Sequence, residues 1–489
     1  MAYTTVNDPS AYFQTKIYTG DGTEDRNITN DGNTNLQPDW IWIKRRNGAD
    51  RHVALDSCRG ATKNLTPNNS NAEDTNNGMT AFQSNGFQVG GQDEGVSITN
   101  WNSFTYAAWQ WAAGGAAPTQ TYRVVVVSDG GNKYRWRNSA NSATFAQSAV
   151  TLNLQEGGTY TIDGSDSTMD SHPIKLSTTS NGTHGGGSSY NTGVVYKLDG
   201  STVTESAYVS GYATATTRQL VITVAASAPT LYYYCHYHSG MGGQINTNSL
   251  FGSTNFDGSI LSVVNANTTA GFSIVSYTGT GSLATVGHGL GASPHMMIFK
   301  RTDSNPDWTV YHHKNTSEPA TEFLILNGTD ATTDNANNFN DTAPTSTVFT
   351  INDAGKVNAS SGTYIVYCFT SIKGYSKFGG YTGNGSSNGT FVYTGFKPAW
   401  IMTKRTDSTG AWNIQDHKRS PFNVQDNFIQ TDVDAEAAAG GTGIWDSYSN
   451  GFKLRQNLSS TNNNGSSYIY MAFAEQPLVA TNNIVATAR

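Results

Sequence analysis

Within seven residues, CHYHSGM at 235–241, the sequence places a thiol, two imidazoles and a thioether: Cys235, His236, His238 and Met241. Thiolates, imidazoles and thioethers are the donors that hold soft metal ions. Upstream, the fragment DSHPIKLS puts His172 between a polar turn and an alternating strand. His172, Cys235, His238 and Met241 together form the donor set of a blue-copper centre, in which thiolate and imidazoles bind and a weak axial thioether tunes the potential. Two residues separate Cys235 from His238, so one loop can present both to the same ion. A second reading stands beside this one: cysteine is commonly a small buried hydrophobe, and HSGMGG is a reasonable turn on composition alone. His184 and His236 read as solvent-facing or hydrogen-bonded turn residues rather than ligands.

The elements that must position these side chains are strands. The stretch LVITVAASAPTLYYYC (220–235) alternates and then turns aromatic as it reaches Cys235, and YRVVVVS (122–128) and VTLNLQEGGTYTID (150–163) precede His172. The whole chain shares this character. Charged residues make up 13% of its 489 residues and glycine contributes 51, while Val, Thr, Tyr, Phe and Trp fill the apolar runs. That is the composition of an all-β protein. A net charge of -7 without any basic run argues against nucleic acid as a partner. Three cysteines, Cys58, Cys235 and Cys368, fall in separate segments, and their odd number speaks against a disulfide framework. MAYTTVNDPSAYF has the form of neither a signal peptide nor a membrane anchor, so the expectation is assembly in the cytoplasm of the producing cell without membrane insertion.

A long repeat organises the rest. The string YTG occurs at Tyr18, Tyr277 and Tyr381, and a closing aromatic strand begins at Tyr106, Tyr364 and Tyr468, with start-to-close spacings that agree to within one residue. Between them stand PDWIWIKRR, PHMMIFKRT and PAWIMTKRT, starting at Pro38, Pro294 and Pro398. Solenoid repeats have periods of about 20–50 residues; this unit has instead the size of a whole sandwich of about 100 residues. The spacing therefore predicts tandem domains, each burying one face of its own: an N-terminal arm 1–15, sandwich copies at 16–115, 272–373 and 376–478, a separate insert at 118–248, a polar linker at 249–271 and a tail at 479–489. In the arm, Tyr12 and Phe13 are expected to dock on a neighbour.

The insert, through SHPIKLSTTSNGTHGGG (171–187) and YYYCHYHSGMGG, resembles the cupredoxin fold, a small Greek-key sandwich with one ligand on an inner strand and the others on a C-terminal loop. The resemblance implies copper held by His172, Cys235, His238 and Met241. The gap between His238 and Met241 is shorter than that family usually has, a departure that falls on the axial ligand. The copies resemble a jelly-roll, concanavalin-like domain that marine tailed-phage (cyanophage-like) structural proteins carry beside such an insert, through PDWIWIKRR, LDSCRGATKNL, YAAWQW, GFKPAWIMTKR, SNGFKL and YIYMAFAE. This resemblance implies a virion protein, such as a tail fibre, that joins other virion proteins, presents loops to a host-surface receptor or glycan, and assembles as a homotrimer or ring. The alternatives are a copper protein and a glycan-degrading tailspike.

Enzyme chemistry finds little support in the motifs. A glycosidase needs two carboxylates flanking the scissile bond, yet only Glu73 and Glu436 share an offset from their opening tyrosines, where the second copy has Thr332. The expectation is therefore no enzyme. The pairs Lys44/Arg45, Lys300/Arg301 and Lys404/Arg405 recur as strand ends with one member in solvent. Trp40, Trp42, Trp109 and Trp111 read as core, and Trp101, Phe104, Trp308, Trp412 and Trp445 remain as ligand candidates on loop tips.

Overall fold

The computed structural model describes residues 4–91, 98–114, 117–248, 250–434, 438–439 and 443–476. It is nearly all β, as its composition requires, with only short helical turns among its strands. No helix among the described residues is long and apolar enough to cross a membrane. The chain divides into two compact units, one made of all three copies and the other of the insert, essentially 114–265.

Each copy contains the same four antiparallel strands in the same order, alone in the first copy and extended by further strands in the second and third. In the first copy its order is Phe13–Thr19, Thr105–Trp111, Trp40–Arg45 and Val53–Asp56; in the second, Phe272–Thr278, Thr363–Phe369, Met296–Arg301 and Thr309–His312; in the third, Ser376–Thr382, Ser467–Phe473, Trp400–Arg405 and Asn413–Asp416. The registers coincide as well, pairing Trp40 with Trp111, Met296 with Phe369 and Trp400 with Phe473.

Both faces of the strand WIWIKR are covered, not one as alternation suggested. Trp40 and Trp42 enter a core shared with Phe272, Ile298, Trp308, Trp400, Trp412 and Phe473 from the other two copies. Ile41 and Ile43 pack the opposite way, against Ile28, Phe87 and Val89 of the copy's own second sheet. The four separate domains expected from the spacing thus give way to two units. Three sandwiches share a core because each presents a second apolar face, which would be a large exposed patch on an isolated sandwich.

The buried lysines fasten this ring. Lys44, Lys300 and Lys404 are fully buried. Each donates to backbone carbonyls of another copy: Lys44 to Asp434 (3.3 Å), Lys300 to Ser70 (2.8 Å), and Lys404 to Thr329 (3.1 Å) and Asp330 (2.8 Å). First binds third, third binds second, second binds first. A parallel set joins the closing strands to hairpin ends, with Trp109 donating to Asp416 (2.9 Å), Tyr367 donating to Asp56 (2.8 Å), and His312 Nε2 donating to the Tyr470 carbonyl (3.2 Å). The partner arginines, beside the lysines in sequence, lie at the edge in pairs with Asp50, Asp303 and Asp407.

The arm and the linker are also structural. Phe13 is fully buried, opens a strand and stacks on Phe473 of its own chain at 5.4 Å. Residues after 249 form the strands Ser253–Asn255 and Ser262–Asn267, and Phe256 stacks on Trp136 within the insert's core at 5.7 Å. The linker's apolar residues, Phe256 among them, are what tie it down. The expected tail 479–489 lies outside the described residues.

The insert is a two-sheet sandwich. One sheet runs Asn132–Trp136, Thr119–Ser128, Thr159–Asp163, Arg218–Thr223, Val194–Leu198 and Ser201–Val203; the other runs Leu152–Gln155, Gly243–Asn248, Leu231–Cys235 and Ile174–Ser177. Each sheet contains one parallel pair, so consecutive strands cross between sheets instead of forming a simple meander.

Candidate metal centre

Antiparallel pairing sets Ile174 opposite Cys235. His172, two residues before Ile174, is thereby carried to the mouth of the Cys235 strand. Two further bonds hold it there: the His236 amide donates to the Pro173 carbonyl (2.9 Å), and the Tyr134 hydroxyl donates to the His172 carbonyl (2.8 Å). The turn after Cys235 is fixed by Asn181, whose side chain donates to Ser239 Oγ (2.8 Å) and accepts from the Gly240 amide (2.8 Å). Gly242 is required at the return, since a Cβ there would lie 1.7 Å from the Tyr233 carbonyl oxygen.

This scaffold brings three of the four expected donors together. Cys235 Sγ lies 3.8 Å from His172 Nδ1 and 3.5 Å from His238 Nδ1, and all three donor atoms fall within 4.8 Å of one another. The two imidazole rings are 4.6 Å apart at 49°. Cys235 is fully buried, His172 nearly so, and His238 exposed. Burial, then the nearby His238, lowers the His172 pKa, which favours the neutral imidazole a metal needs. Met241 is buried in the same core as Cys235. Metal–ligand bonds of about 2.0–2.3 Å suit donors at such mutual distances. Two imidazoles and a thiolate, with a thioether in the following turn, suit copper better than a hard cation.

The neighbouring histidines take other work. His184 Nε2 donates to the Cys235 carbonyl (3.0 Å), and His236 Nδ1 lies 3.5 Å from Lys175 Nζ. The sequence grouped His184 and His236 as turn residues, and those are the roles found. All three cysteines are free.

Elsewhere the expected ligand candidates are corrected. Trp308 and Trp412 belong to the shared core and Trp445 to the third copy's own core. Each sits on or beside a strand whose hidden face the flanking polar residues masked. Trp101 and Phe104 are half-buried and stack on each other at 5.8 Å, with the Arg45 guanidinium 3.4 Å above Phe104. Glu73 is held by Arg59 (3.1 Å) and Lys63 (3.4 Å), while Glu436 lies outside the described residues. The Lys–Arg pairs divide as buried lysine and edge arginine, a division that sequence alternation left open.

The sequence matches the family described as Domain of unknown function (DUF7483) over residues 8–132 and 247–477, more than half of the chain. The chain belongs to that family. No curated protein matches it. The DUF7483 match covers the three-copy unit and skips 133–246, so the candidate metal residues lie in a segment inserted between the first and second copies.

Proposed function

We propose that this chain is a structural and adhesion component of a tailed-phage virion, a tail fibre or related appendage. The supporting observation is the closed ring of three sandwiches, in which buried lysines and tryptophans bond from copy to copy around one shared core. Such a unit suits load-bearing and display. The virion assignment rests on the resemblance of the repeated strings and of the insert. Its partners would be other virion proteins and a host-surface receptor or glycan, with the chain assembled as a trimer or ring. Electron microscopy of particles labelled with an antibody to this chain tests the placement. Label on an appendage supports it, and unlabelled particles beside a soluble pool of the protein would refute it. Light scattering on purified protein tests the assembly.

A second reading, copper binding by a cupredoxin-like insert, is favoured by the convergence of His172, Cys235 and His238. Copper would supply redox chemistry there. The residues' own part is to present one thiolate and two imidazoles from a scaffold fixed by Pro173, Tyr134 and Asn181, with the exposed edge of His238 as the route in. Metal analysis and a visible spectrum of the full chain after Cu(II) loading and desalting test it. A colourless, metal-free, folded protein would return the cluster to a structural role.

A further inference from the structure

A cleft of about 710 Å³ lies between the second and third copies within their shared unit. Its floor is unusual among the copies. The opening strand of the third copy carries Gly379 and Gly380 at the positions held by Lys16 and Ile17 in the first copy and by Val275 and Ser276 in the second, as the pairing registers show. Glycine in a strand interior weakens it and often marks a bulge, a tight bend or the close approach of a ligand or another part of the chain. Here Gly379 lets the Tyr470 ring lie against the strand, because a Cβ would stand 2.6 Å from the Tyr470 hydroxyl. One wall is the strand Phe391–Tyr393, whose alternate residues Phe391 and Tyr393 are 46% and 55% exposed.

The charge of the cleft is one-sided. Lys314, Lys373 and Lys377 line it, and no Asp or Glu is among its described lining residues. Lys377 Nζ donates to the Tyr393 carbonyl (2.9 Å) and sits 5.1 Å from the Tyr393 ring centre, which holds the cation beside the aromatic face. Across the cleft His295 and His313 stack at 4.1 Å. Burial, then the neighbouring His313, lowers His295 to about 4, so this pair is neutral at pH 7 and the positive charge comes from lysine. Lysines alone would guard an exposed strand edge against aggregation. A guard needs neither a cavity nor an exposed aromatic platform.

We infer that this cleft binds an acidic oligosaccharide, with a sugar ring on Tyr393 and its carboxylate or sulfate on Lys314 and Lys377. The size is that of a small-ligand site, and flat aromatic faces beside lysine cations match a ring that bears hydroxyls on its edge and an anion on one substituent. The inference deepens the adhesion reading and separates from it. A chain that binds but is missing from particles keeps the cleft and loses the virion, while a labelled virion protein that binds nothing loses only the cleft.

The test is titration calorimetry on the purified full chain at low ionic strength. The probes are a galacturonate tetrasaccharide, a chondroitin sulfate tetrasaccharide, neutral maltotetraose and a tetraglutamate peptide. At least one acidic sugar is expected to bind about tenfold or more tighter than both controls, and the carboxylated and sulfated probes tell which anion is preferred. Lys314→Gln with Lys377→Gln, and separately Tyr393→Ala, should each weaken binding by about tenfold. Both variants alter surface groups, and an unchanged circular dichroism melt checks that they fold. No binding by the folded chain, binding untouched by these variants, or equal binding of tetraglutamate would overturn the assignment.

Discussion

The three-copy unit and the His172–Cys235–His238 cluster of the insert treat buried polar groups in opposite ways. In the ring, lysine ammonium groups reach carbonyls of a neighbouring copy, and the carboxylates Asp56 and Asp416 are each held by an arginine three residues later, Arg59 at 2.7 Å and Arg419 at 2.5 Å. In the insert's cluster, the buried Cys235 thiol faces two imidazoles, His172 at 3.8 Å and His238 at 3.5 Å. The first arrangement uses polar groups to fix which surfaces meet. The second brings together the donor types that a soft metal ion would take. The second copy supports this contrast from within the ring, since His312 and Asn315 stand where the others have Asp and Arg. Both charges have gone together, as expected where either alone would be buried without its partner.

Breaking a charge in the ring should have the largest effect. Burial alone would raise the Asp416 carboxyl, but Arg419 and the Trp109 hydrogen bond overcome it and hold it below the usual range. Asp416→Ala leaves Arg419 enclosed and Trp109 Nε1 unbonded, and should cost about 3–5 kcal/mol in urea unfolding. The double change Asp416→His with Arg419→Asn copies the second copy and should cost less than half as much. If the double variant is the less stable of the two, pairing is not what these residues provide.

The insert is expected to respond to metal instead. Adding Cu(II) to the intact chain at about 100 times its dissociation constant should stabilise the insert by about 2.7 kcal/mol and give a blue or green colour from thiolate charge transfer. Cys235→Ser should abolish both, and Met241→Leu should change the colour little. Colour surviving in Cys235→Ser would place the copper elsewhere.

How far the sequence carried these conclusions depends on where the partner atoms lie along the chain. The repeat and its strands were legible, because Tyr18, Tyr277 and Tyr381 recur with the KR strings at matched offsets. The shared core was not. Trp40 and Ile41 are both apolar, and alternation between two apolar types says nothing of what covers each face. Nor was the burial of Lys44 visible, since the carbonyl that receives it belongs to Asp434, far away in sequence. The candidate metal cluster was legible for the opposite reason: Cys235 and His238 share one loop, and the resemblance to the cupredoxin fold set His172 beside them. Phe256 was legible as an apolar residue in a polar linker, but not the insert core that receives it, because Trp136 lies far away in sequence.

A smaller effect should appear with pH. Burial lowers Lys300 and Lys404 from 10.5 to about 8. Between those values the unfolded chain binds more protons than the folded one, so these two residues make stability rise as pH increases from about 8 to 10.5. Because other groups also titrate there, the informative quantity is the difference between the parent protein and Lys300→Met with Lys404→Met. The variant should lose the rise. Parallel stability curves for the two proteins would show that burial leaves these ammonium groups unperturbed.

The smallest effect is predicted one residue away from the largest class of contacts. Arg405 follows the buried Lys404 but lies at the edge, with its guanidinium 2.7 Å from Asp407, whose side chain is 39% exposed. An exposed ion pair gains little, because water already solvates both partners and two long side chains must be held still; such pairs contribute about 0.2–1 kcal/mol. Arg405→Gln should therefore lower unfolding stability by no more than about 1 kcal/mol, and added salt should reduce the difference further. Lys404→Gln, one position earlier, exchanges an ammonium bonded to three carbonyls for an amide with two donors, and should cost clearly more. Equal losses for the two would mean that the inter-copy carbonyl contacts add nothing beyond a surface pair, and the ring would then owe its closure to the apolar core alone.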